Sequence, residues 1–158
     1  MTESTDKPSL EVNRVYIKDV SFESPNTPNS FTTLSEQPKI AVQINVEHRR
    51  VQENEDFYEV ILEITVTAKT GENVLYLVEV KQAGLFLLKH PQADNLEIMK
   101  EVTAPHILLP FAREEINSLV TKGGFQSVLI APIHFERLFM EKKRKTDASK
   151  ADETGRPN

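Results

Sequence analysis

Alternation between apolar and polar residues predicts β-strands in the first half of the chain. Between Val12 and Glu23 the apolar residues change from odd-numbered to even-numbered positions, with Ile17 the last of the first set and Val20 the first of the second. A one-residue bulge near Lys18-Asp19 explains the change, because one extra residue moves all following side chains to the opposite face. We therefore expect a bulged first strand.

Three further segments alternate in the same way and predict the second, third and fourth strands, over Ile40–Val46, Tyr58–Ala68 and Asn73–Leu88. Gly71 can supply the positive φ of the turn between the last two strands. A loop rich in proline separates the first two strands and extends to Pro38, since proline cannot continue a hydrogen-bonded ladder.

Helical spacing of apolar residues predicts two main helices in the second half. Pro110 suits the first turn of the first helix, and Gly123-Gly124 ends it. An apolar connector at residues 125–133 leads to the second helix, which begins near Phe135, and a short helix is expected within Ala93–Val102. Strands followed by helices predict an α+β domain with a four-stranded antiparallel, meander-like sheet.

The chain of 158 residues is expected to form one domain at residues 10–145, between a disordered leader at residues 1–9 and a disordered tail at residues 146–158. The polar leader does not predict a signal peptide, and no apolar run is long enough to cross a bilayer. The absence of cysteine excludes disulfides and thiolate zinc ligands. These features predict a cytoplasmic protein that does not insert into the membrane.

Neither composition nor motifs support an enzyme or a nucleic-acid-binding protein. A formal net charge of −5 does not favour phosphate binding, and the short basic run Lys142–Lys145 is interpreted as a solvated helix end. The sequence contains no phosphate-binding loop and no nucleophile–base pair. No metal site and no cofactor are predicted, because helical spacing and compact carboxylate clusters are absent around all four histidines, His48, His90, His106 and His134.

One strand face is less polar than a solvated face should be. In the fourth strand the even-numbered residues form the core face, yet the odd-numbered face carries Leu75 and Leu77 beside Glu79 and Lys81. The leucines could be an oligomer contact or ordinary scattered surface residues, or they could belong to a docking surface that combines apolar and acidic groups. If the first and fourth strands are neighbours, one face of the sheet displays Asp19, Glu23, Leu77 and Glu79 together.

The first main helix has an apolar face that needs a partner. Its members follow the spacing i, i+4, i+7 and i+8. The segment from Ala104 to Met140 also has more apolar surface than one small domain comfortably buries. This predicts an oligomer interface formed by Ala112, Ile116, Leu119 and Val120.

Five segments together carry a specific pattern. They are YIKDVSFESPNTP (Tyr16–Pro28), YEVILEITVTA (Tyr58–Ala68), LVEVKQAGLF (Leu77–Phe86), ILLPFAREEI (Ile107–Ile116) and GGFQSVLIAPIHF (Gly123–Phe135). In this order the segments resemble the SecB family of bacterial protein-export chaperones, over most of the chain. Two departures are Gln126, where the family usually has proline, and His134, where it usually has asparagine.

The resemblance implies a non-enzymatic chaperone that uses no nucleotide and assembles as a homotetramer, a dimer of dimers. In the SecB family the sheets of two protomers pair edge to edge, and the helices pack between the dimers. The family holds unfolded preproteins in a translocation-competent state and passes them to the SecA ATPase. By the same resemblance, the positions involved in SecA docking correspond to Asp19, Glu23, Leu77 and Glu79.

An unfolded client requires a long apolar groove with sequence-tolerant contacts. Candidate walls come from the second strand, the connector and the second helix, namely Ile40, Val42, Ile44, Phe125, Val128, Ile130, Phe135, Leu138 and Phe139. Several of these could instead be plain core residues, chiefly Ile44 and Leu138.

Two alternatives to an export chaperone remain open. A chaperone of the same fold that serves a toxin–antitoxin system would also bind unfolded chains but would prefer one client. An enzyme or small-ligand binder would need an ordered pocket, for which the sequence offers no constellation of residues. The retained acidic and apolar docking residues favour the export chaperone.

Overall fold

The sheet and the main helices occupy successive halves of the chain, as the sequence predicts for an α+β domain. The computed structural model describes residues 7–33, 36–53 and 55–154. The strands are β1 (Ser9–Glu23), β2 (Lys39–Arg50), β3 (Phe57–Thr70) and β4 (Asn73–Lys89). The helices are α1 (Asn29–Thr32), α2 (Ala93–Ile98), α3 (Ala104–Lys122) and α4 (Phe135–Thr154), and a π-helical segment, Met99–Thr103, lies between α2 and α3. The short α1 was not predicted.

All four strands form one antiparallel sheet in the order β1-β4-β3-β2. The last three strands follow one another as a meander, but β1 pairs with β4 and lies at the edge opposite β2. The expectation of a meander is therefore wrong at β1, because the segment between Glu23 and Lys39, which includes α1, carries the chain from one edge of the sheet to the other.

β1 contains the bulge that the sequence predicts. Its register against β4 shifts between Ile17 and Asp19, so that Lys18 is the extra residue and the apolar positions stay on one face. A second shift, between Val12 and Arg14, was not predicted.

The hairpin between β3 and β4 departs from the predicted alternation at one residue. Gly71 has a φ of 59°, as expected for the turn. A register shift between Ala68 and Lys69 leaves Leu75 without a partner in β3, and Leu75 is only 3% exposed. The prediction that Leu75 lies on a solvated face is therefore wrong, because the irregularity lets its side chain join the core. Leu77 remains half-buried on the odd-numbered face.

The core lies between the sheet and α3. The even-numbered residues of β3, Tyr58–Ala68, are buried as predicted, and those of β4 extend the same layer. Ala112, Ile116 and Val120 of α3 are fully buried within the protomer. This corrects their expected role in an oligomer interface, because the protomer's own sheet covers them. Leu119, the fourth residue of that face, is half-buried at the edge of the core.

The helical run is longer than predicted, since α2, the π-helical segment and α3 continue from Ala93 to Lys122. Pro105 occupies the first turn of α3 and Pro110 lies inside it, so the expected helix start at Pro110 is wrong. The π-helical segment before Pro105 suits a residue that cannot donate to the carbonyl four positions back. At the other end α3 stops at Gly123, and Gly124 has a φ of 88°.

α4 begins at Phe135 as predicted, after a connector without regular secondary structure. It runs to Thr154, so the predicted tail is helical up to that residue. Lysine, glutamate, arginine and alanine are good helix formers, and helix propensity persists there after the apolar pattern has faded. Residues 1–6 and 155–158 lie outside the described residues. In the described part of the chain, no helix is long and apolar enough to cross a membrane.

Candidate functional site on two faces of the sheet

The outer face of the sheet, which points away from α3, brings the predicted SecA-docking residues together. Leu77 of β4 pairs with Glu23 of β1, and Asp19 of β1 pairs with Lys81 of β4. Glu79 lies between these two pairs along β4. The first and fourth strands are therefore neighbours, which is the condition for these residues to share one face. We name this surface the acidic face and define it by Asp19, Glu23, Glu63, Leu77, Glu79 and Lys81.

Glu63 of β3 belongs to the acidic face but was missed in the sequence. It pairs with Lys81, which places it diagonally opposite Glu79. A hydrogen bond with Glu79, together with burial, raises the pKa of Glu63, while the charge of Lys81 lowers it in part. The carboxyl group of Glu63 therefore ionises less readily than an isolated glutamate. Two signals identify Glu63: strand alternation places it on the odd-numbered face of β3, and the pairing of β3 with β4 places it beside Lys81.

A buried carboxylate on the same face connects three strands. Glu59 of β3 is 5% exposed, and its Oε1 accepts hydrogen bonds from Lys18 Nζ at 2.8 Å and Arg49 Nε at 2.9 Å. Its Oε2 accepts one from the Tyr16 hydroxyl. Burial opposes ionisation, but the hydrogen bonds from these three donors lower the pKa of Glu59 to about 2. Burial and the bond to Glu59 raise the pKa of Tyr16 to about 12. The network therefore fixes β1 and β2 to β3.

On the inner side of the sheet, β2, the connector and α4 border an apolar depression. Ile40 and Val42 of β2 are 40% and 37% exposed. Val42 and Ile44 share a depression of about 290 Å³ with Ile130 and Leu138. Leu138 is 37% exposed, so the alternative that it is a plain core residue is wrong, whereas Ile44 is half-buried against the core.

A larger depression, of about 750 Å³, lies between the connector and the segment that precedes β2. The Phe125 ring lines it, with centroid distances of 5.2 Å to Phe31 and 5.0 Å to Tyr76, which line it as well. Leu129 on its border is 93% exposed. Of these residues only Phe125 was predicted. Phe31 is isolated in a polar loop, and Leu129 is not distinguishable by pattern from its apolar neighbours in the connector.

Some predicted groove residues are part of the core. Phe135 is fully buried, so it supports the fold and does not line an accessible surface in this arrangement. Val128 and Ile130 are 9% and 4% exposed, and the Val128 N–H donates to the Asn117 side chain at 2.9 Å. Phe139 is half-buried against the core. The accessible part of the groove is therefore narrower than the sequence pattern predicts.

One cluster contradicts the expectation that carboxylates are absent around the histidines. His48 Nε2 lies 3.0 Å from Glu101 Oε1 and 3.8 Å from Glu97 Oε2, and the potential ligand atoms of these residues lie within 4.8 Å of one another. Lys142 Nζ is 3.1 Å from Glu101 Oε1, and Lys100 Nζ is 2.6 Å from Glu97 Oε1. Two ammonium groups thus already neutralise the carboxylates, and an ion-pair network accounts for the cluster.

Nearly the whole chain matches one protein family, because the family model described as preprotein translocase subunit SecB matches residues 3–146. The chain belongs to the SecB family. Protein-export protein SecB of Marinobacter nauticus is 37% identical over 154 residues, which cover 96% of this chain and 92% of that protein. Protein-export protein SecB of a Marinomonas species is 41% identical over 141 residues, which cover 89% and 87%. SecB proteins are chaperones of the Sec export pathway, not enzymes.

A solved structure shares the SecB-like fold. The SecB-like chaperone of Mycobacterium tuberculosis, in complex with a ChAD peptide from the HigA1 antitoxin, has a TM-score of 0.66 over 78% of this chain and 90% of that chain. The two sequences are only 10% identical, so the likeness concerns the fold alone. It agrees with the prediction of an α+β domain built on a four-stranded antiparallel sheet.

Proposed function

We propose that this SecB-family protein is an ATP-independent holdase of the cytoplasm that binds unfolded preproteins, keeps them translocation-competent and delivers them to SecA. The observation that carries the proposal is apolar surface left uncovered along β2, α4 and the connector. Val42, Leu138 and Leu129 are 37%, 37% and 93% exposed. Covering such surface releases about 25 cal/mol per Å² of apolar area, so unfolded segments of many sequences can bind there.

The position of β2 supports this role. β2 pairs with β3 on one side and forms the edge of the sheet on the other. An extended segment that adds a strand at such an edge bonds through its backbone and places alternate side chains in the neighbouring depressions. Backbone hydrogen bonds do not depend on side-chain identity, which suits a chaperone with many clients.

The test is the refolding of a slow-folding preprotein, which the purified protein should delay without ATP. Val42→Asp should weaken this delay, because it places a charge on the exposed floor of the groove, whereas Gln43→Asp, on the opposite face of β2, should not. A folded Val42→Asp variant with full holdase activity would contradict the proposal. A toxin–antitoxin chaperone would favour one client strongly, so unrelated preproteins should be compared.

We also propose a homotetramer, a dimer of dimers, with contacts other than the helix face first expected. β1 forms the second edge of the sheet and exposes Val12, Ile17 and Val20 by 41%, 41% and 38%. Phe111 of α3 is 48% exposed. Burying these side chains against a second copy supports assembly. Light scattering should give the tetramer mass for the wild type and a lower mass for Val20→Asp, and a wild-type monomer at micromolar concentration would refute this assembly.

For SecA docking we propose the acidic face. Leu77 is half-buried beside Glu23, and Glu79 follows on the same strand face. A small apolar spot rimmed by carboxylates suits a partner that presents lysine or arginine around an apolar side chain. Because the groove lies on the inner side of the sheet, docking and client binding should be separable by mutation.

A further inference from the structure

The ion pairs around Glu101 join three elements near the client groove, our name for the apolar depression between β2, the connector and α4. Glu101 lies in the π-helical segment, His48 in β2 and Lys142 in α4. Glu101 is 7% exposed, and its Oε1 lies 3.0 Å from His48 Nε2 and accepts a hydrogen bond from Lys142 Nζ at 3.1 Å. The same ammonium donates to the Val46 carbonyl at 3.2 Å. Lys142 therefore bridges the π-helical segment and the edge strand.

This bridge lines a second depression next to the apolar one between β2, the connector and α4, and Ile44 and Leu138 line both. Ile44 and Phe139 line a depression of about 280 Å³ together with Glu101 and Lys142. Leu138 also lines it and precedes Lys142 by four residues, so the two side chains lie on the same side of α4. Leu138 lies between Phe135 and Phe139, which pack against the core, and Lys142 adds a polar contact with β2 that keeps this face of α4 close to the apolar floor.

Apolar packing does not hold this part of α4. From Glu141 to Glu153 every side chain of the helix is exposed. The most extensive contact of α4 with another helix or strand is with the π-helical segment, which carries Glu101. Attachment of α4 beyond Phe139 thus depends on polar contacts.

The position of Glu101 in the π-helical segment bears on its charge. Its wider turn buries Lys100, Glu101 and Val102 in succession. Burial would raise the pKa of Glu101, but the hydrogen bonds from His48 and Lys142 hold it below the ordinary value. Glu101 therefore stays ionised and attracts the ammonium of Lys142.

We propose that Lys142 is a positioning residue for client binding, because its bridge to Glu101 and the Val46 carbonyl holds α4 against β2 and sets the width of the groove. The inference rests on the proposed function and assigns a role within the same groove. The inference also separates the role of Lys142 from that of Lys143–Lys145, for which a solvated helix end remains the interpretation.

The test compares Lys142→Met with Arg144→Met, which removes the same charge from an exposed position of the same helix. For a fluorescently labelled unfolded preprotein, Lys142→Met should raise Kd about 2- to 10-fold, a modest change because the Lys142 side chain is 55% exposed. Arg144→Met should leave Kd unchanged. Equal Kd values for the two variants would overturn the positioning role.

A second variant tests the partner. Glu101→Gln should also raise Kd. The double variant should bind the preprotein no more weakly than the weaker-binding single variant, because both substitutions remove the same contact between Lys142 and Glu101. Additive effects would overturn the bridge as the cause.

Amide hydrogen exchange gives a readout that needs no client. Exchange in residues 135–142 should be faster in Lys142→Met than in Arg144→Met, and unchanged exchange would overturn the bridge even if the wild type binds clients. A wild type that binds no unfolded preprotein would instead refute the proposed function, and the role in client binding with it.

Discussion

Replacing Glu59 by glutamine should destabilise the protein in a way that depends on pH. The carboxylate is buried and accepts hydrogen bonds from Lys18, Arg49 and Tyr16. Glutamine keeps the shape and an acceptor oxygen but removes the charge. The substitution therefore isolates the electrostatic part of the network that fixes β1 and β2 to β3.

The magnitude follows from the pKa of Glu59. Its fall from 4.5 to about 2 sets an upper limit of about 3 to 4 kcal/mol at neutral pH, at about 1.4 kcal/mol for each pKa unit. The side chains of Lys18 and Arg49 are 41% and 62% exposed, so solvent screening reduces the expected loss in Glu59→Gln to about 2 kcal/mol. Because the pKa is depressed in the folded state, this stabilisation is fully present above pH 4.5 and is lost as the pH falls towards 2.

The assay is urea unfolding of wild type and Glu59→Gln at one protomer concentration, which matters because assembly contributes to apparent stability. The difference in unfolding free energy should be largest at pH 7 and should shrink steadily between pH 4.5 and about 2.5. Glu72→Gln, in the exposed turn between β3 and β4, is the matched control and should change little. A difference for Glu59→Gln that stays constant with pH would refute the electrostatic reasoning.

Three further outcomes are expected. Leu77→Gln and Glu79→Lys should each abolish SecA binding in calorimetry yet spare client holding. Docking of the wild type should weaken as the salt concentration rises. Unchanged SecA affinity in both variants would show that the acidic face is not the docking surface. Gly123→Ala should lower the unfolding free energy by about 1 to 3 kcal/mol, because an added Cβ would overlap the Phe22 ring, and a neutral result in urea unfolding would contradict this close packing. Phe135→Ala should cost about 3 to 5 kcal/mol in the same assay, since a fully buried ring is removed, and a small loss would restore it as a groove residue.

Much of the sheet was predictable because a period of two records directly which side chains are buried. The apolar face of β3 and the bulge at Lys18 could both be read from that pattern. The pattern contains no information on which strands are neighbours, so the place of β1 beside β4 could not be derived from it. Similarly, the apolar face of α3 shows that Ile116 is covered, but not that the protomer's own sheet covers it.

Residues of the candidate sites were predictable only where the periodicity of their own strand or helix shows which face they occupy. Asp19 and Glu79 follow strand alternation, which is sufficient to predict that both lie on the outer face. His48 and Glu101 meet because β2 and the π-helical segment pack together, which no local spacing records. Phe31 packs against Phe125 because it lies in the short helix α1, within a polar loop whose sequence has no periodicity.

The bulge at Lys18 connects the two proposed surfaces. If Lys18 paired with β4 as an ordinary strand residue instead of forming the bulge, Asp19 would point to the inner side of the sheet, and Val20 and Phe22 would point outwards, because a shift of one residue in register reverses every following side chain. The acidic face would then lose its β1 carboxylates, and the inner side would lose the Phe22 ring that stacks with Tyr76 at a centroid distance of 6.0 Å. The inserted residue also supplies an ammonium to Glu59. One irregularity in β1 therefore determines which β1 side chains lie on the acidic face and which join the aromatic packing on the inner side, and the bulged residue itself is held by the buried carboxylate of Glu59.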